Sequence, residues 1–246
     1  MSVPRARRAG PAAGLAAVAG GLLALWLRPP FWAVRIAGRL LPDVLFCVDT
    51  PQRAIALTID DGPDPATTEL VLETLARHDA QATFFVLGGR GSDHPRLLQR
   101  IVGHGHELGN HTWRAEPSAR LQSTELDVSI RDTQRLIEAV APVGLLRPGS
   151  GWVTRRVRAA AHDNDLRCVL GSIYPYDLLF RSKPYIVRYV LGRARPGAIV
   201  ILHEGPTAGT RIVDVLEAVL PRLRERGYRV TTVSDLVRDG ARRADQ

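Results

Sequence analysis

Thr58-Ile59-Asp60-Asp61-Gly62-Pro63-Asp64 decides how this chain is read. It closes an apolar, β-prone run, Ala54-Ile55-Ala56-Leu57-Thr58-Ile59. Gly62 and Pro63 supply the backbone angles of a sharp turn, and Asp caps such turns well. Turn chemistry alone accounts for an isolated Asp-Asp-Gly. At the rim of a sheet, however, two adjacent carboxylates repel, and one of them needs a cation or a proton. A metal held by one acid, with the other acting as a base, satisfies both.

On either side of this stretch the chain alternates. Apolar runs of strand length fall at residues 54–59, 82–87, 107–109, 143–146, 167–170, 198–202 and 229–233. Helix-like segments lie between them at 67–78, 95–103, 123–140, 154–164, 184–194 and 210–227. Ile212, Val213, Leu216, Val219, Leu220 and Leu223 form a helical stripe suited to packing on a sheet. Strands alternating with helices predict an α/β fold with a parallel sheet, doubly wound or closed as a barrel.

The reactive side chains fall at the ends of these strands. Asp60 and Asp61 end the first run, His111 follows the third, Arg147 the fourth and Asp177 the fifth, while His203 and Glu204 follow the sixth. In a parallel barrel all such ends open on one face, where active sites sit. Each has a bland reading alone. His111 could be a loop histidine, Arg147 could pair with a neighbouring acid, His203 and Glu204 could be a surface pair, and residues 174–177 an ordinary tight loop.

Together the motifs resemble those of the polysaccharide deacetylases, the NodB-homology domain of carbohydrate esterase family four. Residues 58–63 are similar to its first motif, 105–112 to its second, 147–151 to its third and Leu202-His203 to its last. The resemblance spans roughly residues 49–236. It implies a distorted (β/α) barrel and a divalent metal, zinc or else cobalt, nickel or manganese. It also implies hydrolysis of N-acetyl groups on an amino-sugar polymer such as peptidoglycan, chitin or another surface glycan. By position, Asp60 is the implied general base and Arg147 its orienting partner. Asp61 and His111 are implied metal ligands. His203 is the implied general acid, held protonated by Asp177, and a backbone N–H after Arg147 is implied to meet the oxyanion.

Three departures bear on the expectation. The family's second metal-binding His falls at Ala115, which cannot ligate, so Glu116 becomes the candidate third ligand. Its plain alternative is an ion pair with Arg114 or Arg120. The third motif reads Arg147-Pro148-Gly149-Ser150-Gly151, so its sugar-facing aromatic is absent or supplied by Trp152. The fourth motif's Asp-Trp reads Asp177-Leu178. These leave two rival readings: a binding barrel that has lost its metal, and an amidase or esterase for a non-sugar substrate.

Charge and hydropathy divide the 246 residues unevenly. Residues 1–40 hold six arginines and no acid, which leaves the remainder at a net charge of only +2 out of +8. A nucleic-acid partner, which needs a basic stripe on the folded domain, is not expected. Arg5, Arg7 and Arg8 precede an uncharged apolar stretch over residues 9–27, close to the ~20 residues that span a bilayer. The flank Arg28-Pro29-Pro30 offers no small-x-small cleavage site. The expectation is a basic N-terminus with a single-pass transmembrane anchor over residues 1–40, and a catalytic domain at 49–238 on the extracytoplasmic side of the cell membrane. A solvated tail is expected at 239–246. Cys47 and Cys168 show no metal spacing and are expected as buried thiols.

Overall fold

The computed structural model of the protein describes residues 29–241. The predicted membrane span over residues 9–27 lies outside them. Among the described residues no helix is long and apolar enough to cross a membrane.

The chain runs α1 (Phe31–Leu40), β1 (Val44–Leu45), β2 (Ala54–Gly62), α2 (Thr68–Arg77), β3 (Ala82–Val86), α3 (Gly88–Asp93), α4 (Pro95–Gly103) and β4 (Glu107–Asn110). It continues with α5 (Ser123–Glu138), β5 (Leu145–Leu146), α6 (Arg155–Asp163), β6 (Arg167–Val169), α7 (Lys183–Arg193), β7 (Ile199–His203), α8 (Arg211–Glu225), β8 (Arg229–Thr231) and α9 (Val233–Ala241). All seven expected strands and all six expected helices form. Four elements were not foreseen: α1, β1, α3 and α9.

The strands lie in the order β1-β6-β5-β4-β3-β2-β7, with β8 also against β2. Every pairing between named strands is parallel. The ends of this path are stitched by two isolated bridges, Cys47 to Ala198 and Ile173 to Val200. The sheet therefore closes into a barrel whose seam is made of single bridges instead of a full ladder, the distorted form expected.

Strand periodicity sorts the side chains into two layers. Ile55, Leu57 and Ile59 of β2 and Phe84 and Val86 of β3 pack outward against Leu72 and Leu75 of α2 and Leu216 and Leu220 of α8. Ala54, Ala56, Phe85 and Ile199 point the other way and pack with Leu45, Leu145 and Val169. Burial on both faces explains why the strands read as continuous apolar runs. In α8 the stripe holds except at Val213, which is only partly buried, while Val215 is fully packed.

Two boundaries shift from expectation. Residues 31–40 are not merely leader: Val34 of α1 is buried, Arg195 lies over the Phe31 ring at 4.4 Å, and Arg35 pairs with Asp49 at 2.7 Å. At the other end α9 extends into the expected tail. It is held by buried Val233 and Leu236 and by the Asp239–Arg229 ion pair. Residues 242–246 lie outside the described part. Both cysteines are free; Cys168 is buried as expected, but Cys47 is only half-buried.

Candidate active site

The five strand ends converge on the C-terminal rim of the barrel, and β2 explains the adjacency of its two acids. Side chains alternate along a strand, so Asp60, in phase with Ala54 and Ala56, points inside, and Asp61 should point out with Ile59. The ladder to β3 slips there. Asp60 pairs with Phe85 and Gly62 with the next residue, Val86, so Asp61 is the extra residue of a β-bulge. Its φ is 71°, in the left-handed region. A bulge of this kind re-aims a side chain beside an active site. Here it brings the Asp61 carboxylate to the same rim as Asp60.

Arg147 and Asp60 form a buried ion pair. The guanidinium donates from Nη1 to Asp60 Oδ1 and Thr58 Oγ1, both at 2.6 Å, from Nη2 to the Leu170 carbonyl at 2.6 Å and from Nε to the Val169 carbonyl at 3.1 Å. It also lies over the Phe85 ring at 4.1 Å. Nearly every donor on this planar group is used, which fixes both charges. The bland reading of Arg147, pairing with a nearby acid, is thus true, and the acid is Asp60.

His111 faces Asp61, with Nε2 3.5 Å from Oδ1. Its Nδ1 donates to the Arg147 carbonyl at 2.7 Å. That bond fixes the ring and aims Nε2 at the carboxylate, the arrangement metal-binding histidines use. Burial would raise the Asp61 carboxyl, but the hydrogen bond and charge of His111, with His203 and Arg90, outweigh it and hold it below its ordinary value. Burial likewise works against a charged His111, and Asp61 and Asp60 more than offset it, so its basicity rises. An ionised carboxylate and an oriented imidazole nitrogen suit a divalent cation.

The third donor does not arrive. Among the described residues no three His, Cys, Asp or Glu side chains converge closely enough to hold a metal ion together. Glu116 therefore does not join Asp61 and His111, and the expected ligand triad is incomplete. The local backbone accounts for this. Thr112 takes a left-handed φ of 65°, and the Glu116 N–H turns back to the Arg114 carbonyl at 2.8 Å. The Glu116 carbonyl is packed so tightly on Gly149 that a Cβ there would overlap it. It is the backbone of Glu116, not its carboxylate, that meets the third-motif turn.

His203 sits at the inward end of β7. Asp177 holds it twice, accepting from Nδ1 at 2.9 Å and from the His203 backbone N–H at 3.0 Å. Burial pulls the imidazolium down, but the hydrogen bond and charge of Asp177, reinforced by Asp60 and Asp61, push it up to about 9. The ring is therefore protonated at neutral pH, as a proton donor must be.

The neighbouring Glu204 overturns its reading as a surface residue, being only 1% exposed. Its Oε2 accepts from Thr68 at 2.9 Å and Thr67 at 3.2 Å, while Oε1 has no hydrogen-bond partner. Burial raises this carboxyl to about 7 despite the two hydroxyls. Gly62 packs directly on it; a Cβ there would lie 2.8 Å from Glu204 Cδ and overlap its oxygen. Glu204 thus supports the turn that carries Asp61 from beneath. Arg90 supports the same residue through a short hydrogen bond to the Asp61 carbonyl. Sequence reasoning placed Glu204 at a strand end without this role and did not find Arg90. The one available signal was the charge of Glu204 directly after a buried strand.

A small cleft of about 100 Å³ opens among these groups, with Asp60, His111, Arg147, Ser150, Tyr174 and His203 in its wall. Trp152 is 63% exposed and does not line it. The aromatic ring in the wall is Tyr174, 5.7 Å from the His203 ring. Within the turn after Arg147, the Gly149 N–H is spent on Ser118 Oγ at 2.8 Å and the Gly151 N–H on the Pro148 carbonyl at 3.1 Å. Ser150 between them has a left-handed φ of 61°. Of the remaining histidines, His78 pairs with Glu217 at 2.9 Å and His106 packs against Phe84.

Comparison with known proteins agrees with the geometry. The polysaccharide deacetylase family matches residues 48–169. A peptidoglycan-N-acetylglucosamine deacetylase of Bacillus cereus is 36% identical over 194 residues, covering 78% of this chain and 91% of that protein. A chitooligosaccharide deacetylase of Rhizobium leguminosarum is 37% identical over 190 residues, covering 72% and 88%. The solved structure of peptidoglycan deacetylase PdaC from Bacillus subtilis superposes with a TM-score of 0.73 at 34% identity, over 80% of this chain and 96% of that one. A Bacillus anthracis pseudoenzyme of carbohydrate esterase family four also superposes, with a TM-score of 0.73 at 25% identity over 80% and 69%. The chain belongs to the polysaccharide deacetylase family.

Proposed function

We propose that the protein removes N-acetyl groups from an amino-sugar polysaccharide by metal-dependent hydrolysis. The observation that carries this is one rim holding two preassembled pairs: Asp60 with Arg147 as base, and His203 with Asp177 as acid. A site that only binds glycan has no use for both. A divalent ion, with zinc the best match to a carboxylate and an imidazole, would be held by Asp61 and His111; when bound it supplies Lewis-acid polarisation of the amide carbonyl and acidifies water.

The chain's own groups do the rest. Asp60 accepts a proton from the attacking water, and Arg147 keeps that carboxylate in one orientation. Water oxygen adds to the acetyl carbon. The Ser150 N–H, on the turn that lines the cleft, meets the oxygen on which negative charge develops. The carbon–nitrogen bond then breaks, and His203 delivers its proton to the leaving amine. Acetate and a free amino sugar are the products. Asp177 keeps the acid charged until that moment. With only Asp61 and His111 to hold it, an ion would be retained more weakly than in the three-donor sites typical of catalytic zinc.

The relatives' names favour peptidoglycan or chitooligosaccharide as substrate class. The uncharged stretch at residues 9–27 behind three arginines supports a single-pass anchor with the barrel on the extracytoplasmic side. The test is acetate release from N-acetylated chitooligosaccharides and from peptidoglycan, with zinc, cobalt, nickel or manganese supplied in turn. Release that stops on chelation and returns with metal is expected. No release with any of the four would sink the proposal. Glycan binding by protein that resists metal loading would favour the second reading, a binding barrel, to which the missing third donor points.

A further inference from the structure

The helix that joins the apolar leader to the barrel presents an unusual face. Trp32, Ile36 and Leu40 of α1 are 63%, 45% and 73% exposed. Spaced four apart, they stack as one stripe about two turns long. The opposite side is used: Val34 is buried, Phe31 lies under Arg195, and Gly38 approaches Phe46. Beside the apolar stripe runs a basic one, Arg35 and Arg39, both exposed. A shallow groove between α1 and β1 adds Arg167 to that wall; its one acidic member, Asp49, is already paired with Arg35.

The place of the stripe in the chain points to what covers it. Arg193 donates to the Pro29 carbonyl at 2.9 Å, which pins the chain to the domain one residue after Arg28. If residues 9–27 span the bilayer, only Arg28 separates that span from a residue held on the barrel. Two residues of fully extended chain reach about 7 Å. No slack remains to hold the domain clear of the lipid.

We infer that α1 is an interfacial helix, seating Trp32, Ile36 and Leu40 among the acyl chains of the outer leaflet. Arg39 then meets anionic headgroups, while Arg35 stays on Asp49. This rests on the anchor reading above and goes beyond it, since it fixes how the catalytic domain lies on the membrane. The chemistry matches the partner: tryptophan favours the headgroup boundary, and an apolar stripe flanked by arginine is how surface-lying helices bind acidic bilayers.

The test uses the full chain reconstituted in liposomes of phosphatidylcholine with phosphatidylglycerol, doped with a lipid carrying a photoactivatable group near the glycerol backbone. Residues labelled on irradiation are mapped by mass spectrometry. Wild type is expected to be labelled in residues 31–40. The Trp32→Ser/Ile36→Ser/Leu40→Ser variant should be labelled there at least about fivefold less, with residues 9–27 labelled equally in both. Acetate release from a soluble oligosaccharide should not change, because α1 takes no part in the rim. If the triple variant folds poorly, Leu40→Ser alone, the most exposed of the three, carries the comparison, again with reduced labelling.

Labelling of 9–27 without 31–40, or equal labelling of α1 in wild type and variant, overturns the inference and leaves the anchor standing. Labelling of 31–40 without 9–27 keeps the interfacial helix and refutes the span. Labelling of neither overturns both. Cross-links between α1 helices of two copies, without lipid labelling, assign the stripe to self-association and also overturn it.

Discussion

Replacing Asp177 by Asn removes one charge while keeping nearly the same shape. In the native protein His203 is pushed up to about 9, against an ordinary value of 6.5. A gap of two to three pH units corresponds to roughly 3 kcal/mol favouring the charged ring, at about 1.4 kcal/mol per unit. Burial lowers the value and Asp177 is the largest of the groups that raise it, so without its charge His203 should titrate well below 9, with Asp60 and Asp61 still holding it up in part. The expected result is an alkaline limb of kcat/KM that moves down by about two pH units or more, measured from pH 5.5 to 10 with the same metal in both proteins.

Stability should report the same group. Its folded value is raised, so its contribution is complete below about 6.5 and is lost as pH rises through about 9. Urea melts should therefore show Asp177→Asn less stable by roughly 3 kcal/mol at pH 6, with a smaller gap at pH 10. A folded variant whose alkaline limb stays within about half a unit of wild type would refute the claim that Asp177 holds the proton on His203.

Three further outcomes follow from the rim. Glu116→Ala should leave zinc affinity within about twofold by titration calorimetry, whereas His111→Ala should lower it by a factor of ten or more; a large loss from Glu116→Ala would restore that residue to the ligand set. Glu204→Gln should match wild type near pH 4 and exceed it at pH 8 by up to roughly 3 kcal/mol, because the stability that the neutral carboxyl carries is complete below 4.5 and is lost as pH rises through about 7; equal melts at both pH values would contradict its buried, poorly satisfied state. Gly62→Ala should cost about 1–3 kcal/mol or more and sharply reduce kcat, since the new methyl collides with Glu204 and displaces Asp61; an unperturbed melt would show that the packing is looser than described.

Much of this site was legible because strand ends in a parallel barrel share one face. Once residues 54–59 and 198–202 read as strands, Asp60 and His203 belonged to one rim, and the structure adds that β2 and β7 pair with those two residues in register. Side-chain reach was not legible. Glu116 stands one position from the missing ligand in sequence, but a left-handed residue and a reversed backbone intervene. Glu204 reads as polar and therefore exposed, yet β7 carries it under the turn that follows β2. The glycine-rich run Gly88-Gly89-Arg90-Gly91 lies outside every expected element and forms α3. Its glycines are there for close approach, since a Cβ at Gly88 would overlap the Trp113 ring. The bulge at Asp61 is a mismatch between two strands, and no single strand's sequence displays a mismatch.

The thin seam of the barrel has a consequence for the chemistry. The bridge from Ile173 to Val200 holds the chain leaving β6 against β7, and Asp177 follows four residues later. The acid and its partner thus come from β7 and from the loop that follows β6, which only ring closure brings together. An open sheet with the same strand order would keep the base, its arginine and both metal donors, and would strand His203 without its counter-ion. Closing the cylinder is therefore itself the step that assembles the proton donor, and the weakest-paired part of the fold is the part on which that donor depends.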